Sequence, residues 1–374
     1  MRLTDICDFQ GGSQPPKDEW LFEKQEGYIR MLQIRDFTQS EKVVPEYVKI
    51  SKSTKICQAD DILIARYGAS IGKILTGLSG AYNVAIMRAI PDTHMLQKKY
   101  LYYYLKSPYF QTAILNVGSR AAQAGFNKED LSKLEIKCPL LSEQDSIIDI
   151  LQKVESIIGK RKKELIFLGE LVKARFVEMF GTLHDNENGF DIVTIEDVCS
   201  LIKDGTHQTP QYTEDKKEGY KFLSSKDVMS QKVDWTNIKY IPAELHEKLY
   251  ATIKPQRNDI LMSKNGVNYG VAAVNDTDEV FDIYVSLALL RPKKIIDPVF
   301  LKCVINNPET KWQFDSSIKG IGVPNLHLGE IKKTRMFLPP IELQNQFADF
   351  VRAIDKSKVS LYYKNRKGGF SAII

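Results

Sequence analysis

The chain repeats itself. Leu3-Thr4-Asp5-Ile6-Cys7 is echoed by Ile195-Glu196-Asp197-Val198-Cys199 at an offset of 192, and Gly27-Tyr28 recurs as Gly219-Tyr220 at the same offset. Asp61-Ile62-Leu63 with Gly68 and Gly72 returns as Asp259-Ile260-Leu261 with Gly266 and Gly270, now at 198. At 200, Leu101 and Pro108 match Leu301 and Pro308, and Leu131, Pro139 and Gln144 correspond to Ile331, Pro339 and Gln344. The order never changes, and small insertions in loops account for the drift. A unit of roughly 190–200 residues is far longer than a solenoid repeat. The chain therefore reads as two copies of one domain, which its 374 residues also favour.

Both copies follow one plan. Short β-branched runs such as Asp61-Ile62-Leu63-Ile64-Ala65-Arg66-Tyr67 are broken by Gly, Pro and Asn, which predicts strands and turns. A helix is expected over 99–106 and again over 300–305, ended by Ser107-Pro108 and Asn307-Pro308. An extended segment then runs into Pro139 or Pro339-Pro340, and a long helix follows, with Ser142 as its expected cap. The fold class is α+β, with two similar mixed α/β domains.

The first long helix carries the clearest local pattern. Ile147, Leu151, Val154, Ile158, Leu165, Leu168, Val172 and Met179 alternate four and three apart, with Arg161 and Arg175 in the two missing places. A heptad seam of this length predicts a coiled coil rather than the core helix of an ordinary domain. From Ser142 to Phe180 it would span about 58 Å at 1.5 Å per residue, and Gly181 would end it. The second copy is weaker: Phe347, Val351, Ile354 and Leu361 lie on the seam, Lys358 interrupts it, and Gly368-Gly369 should break it. The expected divisions are a first domain over 1–141, a spacer helix over 142–181, a second domain over 182–340 and a second spacer helix over 341–374. Because each helix leaves its domain by an equivalent exit, the two would pair antiparallel under a pseudo-two-fold axis. Two heads on a rigid spacer suit a long regular target, and double-stranded DNA is the obvious one.

Composition narrows the class without deciding it. A net charge of +5 is compatible with nucleic acid but does not establish it. The apolar runs are only a few residues long, against the roughly 20 needed to span a bilayer, and no apolar signal core follows Met1. Five cysteines and five histidines are scattered without Cys-x-x-Cys spacing, so neither a structural metal nor a disulfide framework is expected. A cytoplasmic protein without membrane attachment is the expectation.

Candidate catalytic motifs fail on their spacing. Gly68-Ala69-Ser70-Ile71-Gly72-Lys73-Ile74 has three residues between its glycines and Ile after the lysine. A phosphate loop needs four and a Ser or Thr, so a strand-linking turn is the better reading. Asp130 with Glu135-Ile136-Lys137 would suit a nuclease only faintly and reads as an ordinary polar segment. No Asn-Pro-Pro-aromatic tetrapeptide of the adenine methyltransferase kind occurs; Asn306-Asn307-Pro308-Glu309 only ends a helix. No cofactor, metal or catalytic residue is expected.

Taken in order, these motifs resemble the specificity subunits of Type I restriction–modification systems over essentially the whole chain. The carrying residues are Gly11-Gly12-Ser13, Asp204-Gly205-Thr206-His207-Gln208-Thr209-Pro210, the segment from Asp61 to Gly68 with Gly72-Lys73, and two copies of one motif. These copies are Cys138-Pro139-Leu140-Leu141-Ser142-Glu143-Gln144 and Leu338-Pro339-Pro340-Ile341-Glu342-Leu343-Gln344. The resemblance implies a non-catalytic subunit whose two target-recognition domains each read half of a split site. It also implies helices that dock two methyltransferase (modification) subunits, with restriction/translocase subunits joining them.

Base reading needs Arg or Lys for guanine and Asn or Gln for adenine. Loops 10–17, 66–73 and 118–128, with 203–211, 264–269 and 319–325 in the second copy, are rich in these. The expected DNA contacts are Ser13, Gln14, Lys17, Arg66, Tyr67, Ser70, Lys73, Arg120, Gln123 and Asn127 in the first domain. In the second they are His207, Gln208, Lys264, Asn265, Asn268, Tyr269, Lys319 and Asn325. Arg66-Tyr67 against Lys264-Asn265 makes the copies differ where they would touch DNA, so a non-palindromic site is expected. Two other readings stay open: the reading half of another DNA-modifying enzyme, and a two-headed coiled-coil adaptor with no DNA role.

Overall fold

The computed structural model describes residues 1–39, 42–118, 125–318 and 323–367, with the side chains of 118 and 359–367 excepted. It divides into two compact units, Met1–Lys163 with Leu361–Ile374, and Glu164–Ser360. Among the described residues no helix is long and apolar enough to cross a membrane.

The first unit contains β1 (Cys7–Gly11), β2 (Tyr28–Leu32), α1 (Ile34–Thr38), β3 (Glu46–Lys49), β4 (Ile56–Cys57), β5 (Ile62–Ala65), β6 (Ile74–Leu75), β7 (Gly80–Tyr82) and β8 (Ile86–Pro91). Helices α2 (Lys98–Lys106), α3 (Pro108–Gly118) and α4 (Lys128–Ser132) follow, and then α5 (Leu141–Phe180) crosses into the second unit. There the order is β9 (Asp191–Thr194), α6 (Ile195–Val198), β10 (Cys199–Asp204), β11 (Tyr220–Leu223), β12 (Lys239–Ile241), α7 (Ala243–Tyr250), β13 (Ile260–Ser263), β14 (Ala272–Val274), β15 (Phe281–Ile283) and β16 (Leu287–Pro292). It closes with α8 (Pro298–Ile305), α9 (Pro308–Ser317), α10 (Leu328–Lys333), β17 (Arg335–Leu338) and α11 (Ile341–Lys367).

The duplication is visible strand by strand. One sheet runs β1-β8-β5-β6 in the first unit and β10-β16-β13-β14 in the second. A smaller sheet runs β3-β2-β7-β4 in the first and β12-β11-β15 in the second, with β2–β7 and β11–β15 both parallel. The repeated Asp-Ile-Leu motif sits on the strand shared by two cores. Alternation puts Ile62 and Ile64 into the core beneath α2 and α3, while Leu63 and Ala65 enter the core with Leu32 and Tyr82. In the second unit Ile260 and Met262 face one core and Leu261 the other. A strand covered on both faces reads as an unbroken apolar run.

Polar anchors are duplicated too. Asp61 accepts from the Gln58 N–H at 2.9 Å and pairs with Arg88 at 2.9 Å; Asp259 accepts from the Gln256 N–H at 2.8 Å and pairs with Arg291 at 2.8 Å. Gln144 and Gln344 are fully buried. The Gln144 amide donates to Met95 O (2.7 Å) and Pro139 O (2.9 Å) and accepts from Gln97 N–H (2.9 Å). Gln344 repeats this with Ile295 O (3.2 Å), Pro339 O (2.8 Å) and Asp297 N–H (2.9 Å). Each glutamine ties the first turn of a long helix to the loop ahead of α2 or α8.

Three expectations change in detail. Pro108 and Pro308 do more than end helices: each opens a second one, α3 and α9, because proline at the first position has no N–H to lose. Asn306 ends α8, and Asn307 caps α9, accepting from the Glu309 N–H at 2.9 Å. Ser142 does not cap α5, which starts at Leu141; the Glu143 carboxylate instead accepts from the Leu140 N–H at 2.9 Å.

Helix α5 has 40 residues, about 60 Å. Leu151, Val154, Ile158, Leu165, Leu168, Val172 and Met179 are all half-buried. Ile147 is 37% exposed, and Ile148, at 7%, takes its place. The first turns pack on the first domain through Gln144 and Ile148, one turn apart, before the 3.5-residue seam begins. In the second unit the deepest positions are Phe176 and Phe180, next to the seam rather than on it. Both meet Phe347 of α11, at ring separations of 5.5 and 5.4 Å. Arg175 lies 6.0 Å from the Phe350 ring, so α5 and α11 run antiparallel here. Phe347, Val351 and Ile354 are buried. The side chain of Leu361, and Gly368-Gly369, lie outside the described residues.

Candidate nucleic-acid interface

In each unit the predicted loops converge on one end of the four-stranded sheet. In the first, the N–H of Gly12 donates to Ile86 O (3.0 Å), that of Ser13 to Tyr82 O (3.0 Å) and that of Arg66 to Ala85 O (2.8 Å). A bridge from Tyr67 to Gly125 brings in the loop before α4. In the second, Gly205 N–H donates to Leu287 O (3.2 Å), Lys264 N–H to Ser286 O (3.0 Å), and Asn265 bridges Asn325. Glycine is required where the loops cross. A Cβ on Gly12 would stand 2.1 Å from Asn83 O, and one on Gly205 2.0 Å from Ile283 O.

The Gly-x-x-x-Gly segment is the expected turn. Gly68 (φ 70°) and Gly72 (φ 79°) take left-handed conformations, as do Gly266 (83°) and Gly270 (86°). Lys73 is exposed, Ser70 half-buried and Tyr67 38% exposed. Gln14, Lys17, His207, Gln208, Asn268 and Asn325 are exposed, and Ser13 is half-buried. Arg120, Gln123 and Lys319 lie outside the described residues.

Three of the chosen side chains are engaged internally. Lys264 is 4% exposed and its ammonium binds Asp204 at 2.5 Å, with His207 Nε2 3.5 Å from the same carboxylate. Tyr269 is 8% exposed; its hydroxyl donates to Asp315, and the Lys311 ammonium lies 3.8 Å from its ring. Hydrogen bonds, chiefly from Lys311 and then from Tyr269, hold the Asp315 carboxyl below its ordinary range. Asn127 caps α4, accepting from the Asp130 N–H at 3.0 Å. Lys264 and Tyr269 brace the loop from within, which a list of polar residue types does not separate from an outward role.

Arg66 differs from its counterpart Lys264. Its guanidinium donates to two backbone carbonyls, Phe126 O at 3.3 Å and Val84 O at 3.4 Å, and no carboxylate pairs with it among the described residues. Where the second unit has Asp204, the first has Gly11, whose Cβ would lie 3.3 Å from Arg66 Nη1. Loop 83–85 and its counterpart 284–286, which no motif in the sequence marks, sit between the loops that carry Gly12 and Arg66 or Gly205 and Lys264. They carry the half-buried Asn83 and Tyr284 and the 41% exposed Val84. Their only signal is position, just before β8 and β16.

Two copies of one mixed α/β domain, each gathering polar loops at one end and followed by a long helix, define a duplicated two-domain architecture. The profile of the Type I restriction modification DNA specificity domain matches residues 1–166 and again 187–366, and the chain belongs to that family. It is similar to the Type I restriction enzyme MjaVIII specificity subunit of Methanocaldococcus jannaschii, with 22% identity over 380 residues, 95% of this chain and 85% of that protein. It is also similar to the EcoBI specificity subunit of Escherichia coli, with 23% identity over 308 residues, 73% of this chain and 64% of that one. Among solved structures, the Type I system S subunit from M. genitalium covers the whole chain and 92% of its own, with TM-score 0.53 and 14% identity. A chain from a structure of Type I system complex assembly covers 98% and 92%, with TM-score 0.50 and 16% identity. These two share the fold.

Proposed function

We propose that this chain is the sequence-reading, non-catalytic subunit of a Type I restriction–modification enzyme. Each domain reads one half of a split, non-palindromic site in double-stranded DNA through the loops gathered at its sheet end. The observation that carries the reading is that equivalent loops converge in both copies while their chemistry differs, Gly11–Arg66 in one and Asp204–Lys264 in the other. The specificity-subunit relatives support the same assignment. Two modification subunits would dock along the helices, with restriction subunits joining them in the cytoplasm. Supporting this, α5 leaves Ile150 (60%) and Ile157 (52%) exposed in the first unit and Phe167 (70%) in the second, apolar groups that a partner would cover.

Co-expression with a modification subunit, followed by mapping of methylated bases, tests the reading. The expected result is a two-part sequence with unlike halves and a fixed gap. A perfect palindrome refutes the unlike-halves claim. Methylation or cutting by the purified chain alone refutes the non-catalytic role. The chain should also bind random duplex with an affinity that falls steeply with salt; a salt-independent or absent interaction returns the adaptor reading.

A further inference from the structure

The sharpest unexplained feature of the second domain is a pair of valines at the tip of its gathered loops. Val267 is 83% exposed and Val323 is 80% exposed. Isolated surface valines need no explanation, but these two belong to one braced element. Val267 directly follows Gly266 and Val323 directly precedes Pro324, the two residues that are joined just beyond the bridge pairing Asn265 with Asn325. Gly266 N–H donates to Pro324 O at 3.0 Å, and Leu326 N–H to Lys264 O at 2.8 Å. From beneath, the fully buried Ser263 hydroxyl donates to Asn268 O at 2.9 Å and accepts from the Val271 N–H at 3.0 Å. Tyr269 and Lys264 turn inward beside it. The fold thus spends a buried ion pair and a buried hydroxyl on holding an apolar tip in water.

We infer that this tip reads thymine, Val267 and Val323 packing on a thymine C5 methyl in the major groove; the inference rests on the proposed DNA-reading role. In that groove the methyl is the one apolar mark a base pair displays, and aliphatic side chains recognise it by contact. The flanking residues supply the complementary chemistry. Asn268 and Asn325 are exposed beside the valines, and a carboxamide is the side chain that matches the N6/N7 edge of adenine. A carboxamide next to an aliphatic contact reads both halves of an A·T pair. In the first domain the residue equivalent to Val267 is Ala69, two residues after Tyr67.

The test uses the full chain on its own methylation-mapped site, with each thymine replaced in turn by deoxyuridine, which removes only the methyl. The expected result is one thymine, in one half-site, whose replacement weakens binding on the order of fourfold, the worth of one buried methyl-sized group. The Val267→Ser/Val323→Ser variant should bind thymine and deoxyuridine duplexes equally at that position, while the other half-site and random-duplex binding stay unchanged. The inference is overturned if no replacement matters, if the variant keeps the same sensitivity, or if the substitutions instead disrupt assembly with the modification subunit. Loss of salt-sensitive binding to any duplex by the unsubstituted chain would fail the DNA-reading role itself.

Discussion

Replacing Gln344 by leucine removes the three hydrogen bonds of a fully buried carboxamide. The side chain is fully buried, and its amide donates to Ile295 O and Pro339 O and accepts from the Asp297 N–H. Each bond contributes about 0.5–1.5 kcal/mol net, and a group left unpaired in the interior costs about 1–3 kcal/mol. Leucine fills the space but strands two carbonyls and an N–H, so the second unit should lose about 3–5 kcal/mol. Global melting is a poor readout, because a chain of two units need not unfold in one step. Amide hydrogen exchange is better suited. The Asp297 N–H should exchange at least roughly a hundredfold faster, in keeping with a local loss of about 3 kcal/mol. The Gln97 N–H, which is held by Gln144 in the first unit, should not respond. Gln144→Leu should give the mirror result. If Gln344→Leu leaves Asp297 as protected as before and costs under about 1 kcal/mol, the glutamine does not anchor the helix.

Arg66→Ala should weaken one half-site by about 1–3 kcal/mol if the guanidinium reads a base; an equal loss on every duplex, measured by titration, would make it a phosphate contact instead. Acid should loosen the first unit through Asp61. Burial alone would raise that carboxyl, but the Gln58 N–H, Lys98 and Arg88 outweigh it and hold it below its ordinary 3.8. A lowered folded value means stabilisation that is complete above about pH 4 and is lost as pH falls through the folded pKa. Melting of Asp61→Asn against pH should therefore show a shallower acid decline than the parent, and identical slopes would remove Asp61 from the acid response.

Which parts of this were legible follows from where the pattern was repeated. The two domains, the shared apolar strand and the long helix all left periodic or duplicated marks, because packing on both faces of β5 and β13 and along α5 constrains residue type at fixed intervals. The strand interiors at Ile62 to Ala65 and the seam from Leu151 to Met179 are such cases. Direction of a single polar side chain left no such mark. Lys264 and Lys73 are equally basic in sequence, yet one binds Asp204 internally and the other is exposed. The deciding residue, Asp204 against Gly11, lies about 60 positions away in the chain and becomes a neighbour only when the strands pair. Likewise Phe176 outranks Arg175 on α5 because Phe300, Phe337 and Phe347 surround it, a fact of tertiary packing and not of spacing.

The same contrast bears on how one duplicated domain comes to serve two ends. Gene duplication alone yields identical halves, and identical halves related by symmetry would favour a symmetric site. Matched features hold both copies: Gly12 with Gly205 and Gly72 with Gly270 at the end where the loops gather, Asp61 with Asp259 and Gln144 with Gln344 away from it. The copies differ in their smaller sheets, four-stranded in the first and three-stranded in the second, and in the side chains that the gathered loops carry. One copy presents an arginine beside a glycine; the other locks its lysine to an aspartate and puts two valines forward. On the proposed role, an arginine held by two backbone carbonyls and the Tyr67 ring would suit a guanine edge, and an apolar tip beside carboxamides would suit A·T. If the gathered loops read DNA as proposed, this separation of scaffold from loop chemistry would let either half change its target without disturbing the helix that follows it.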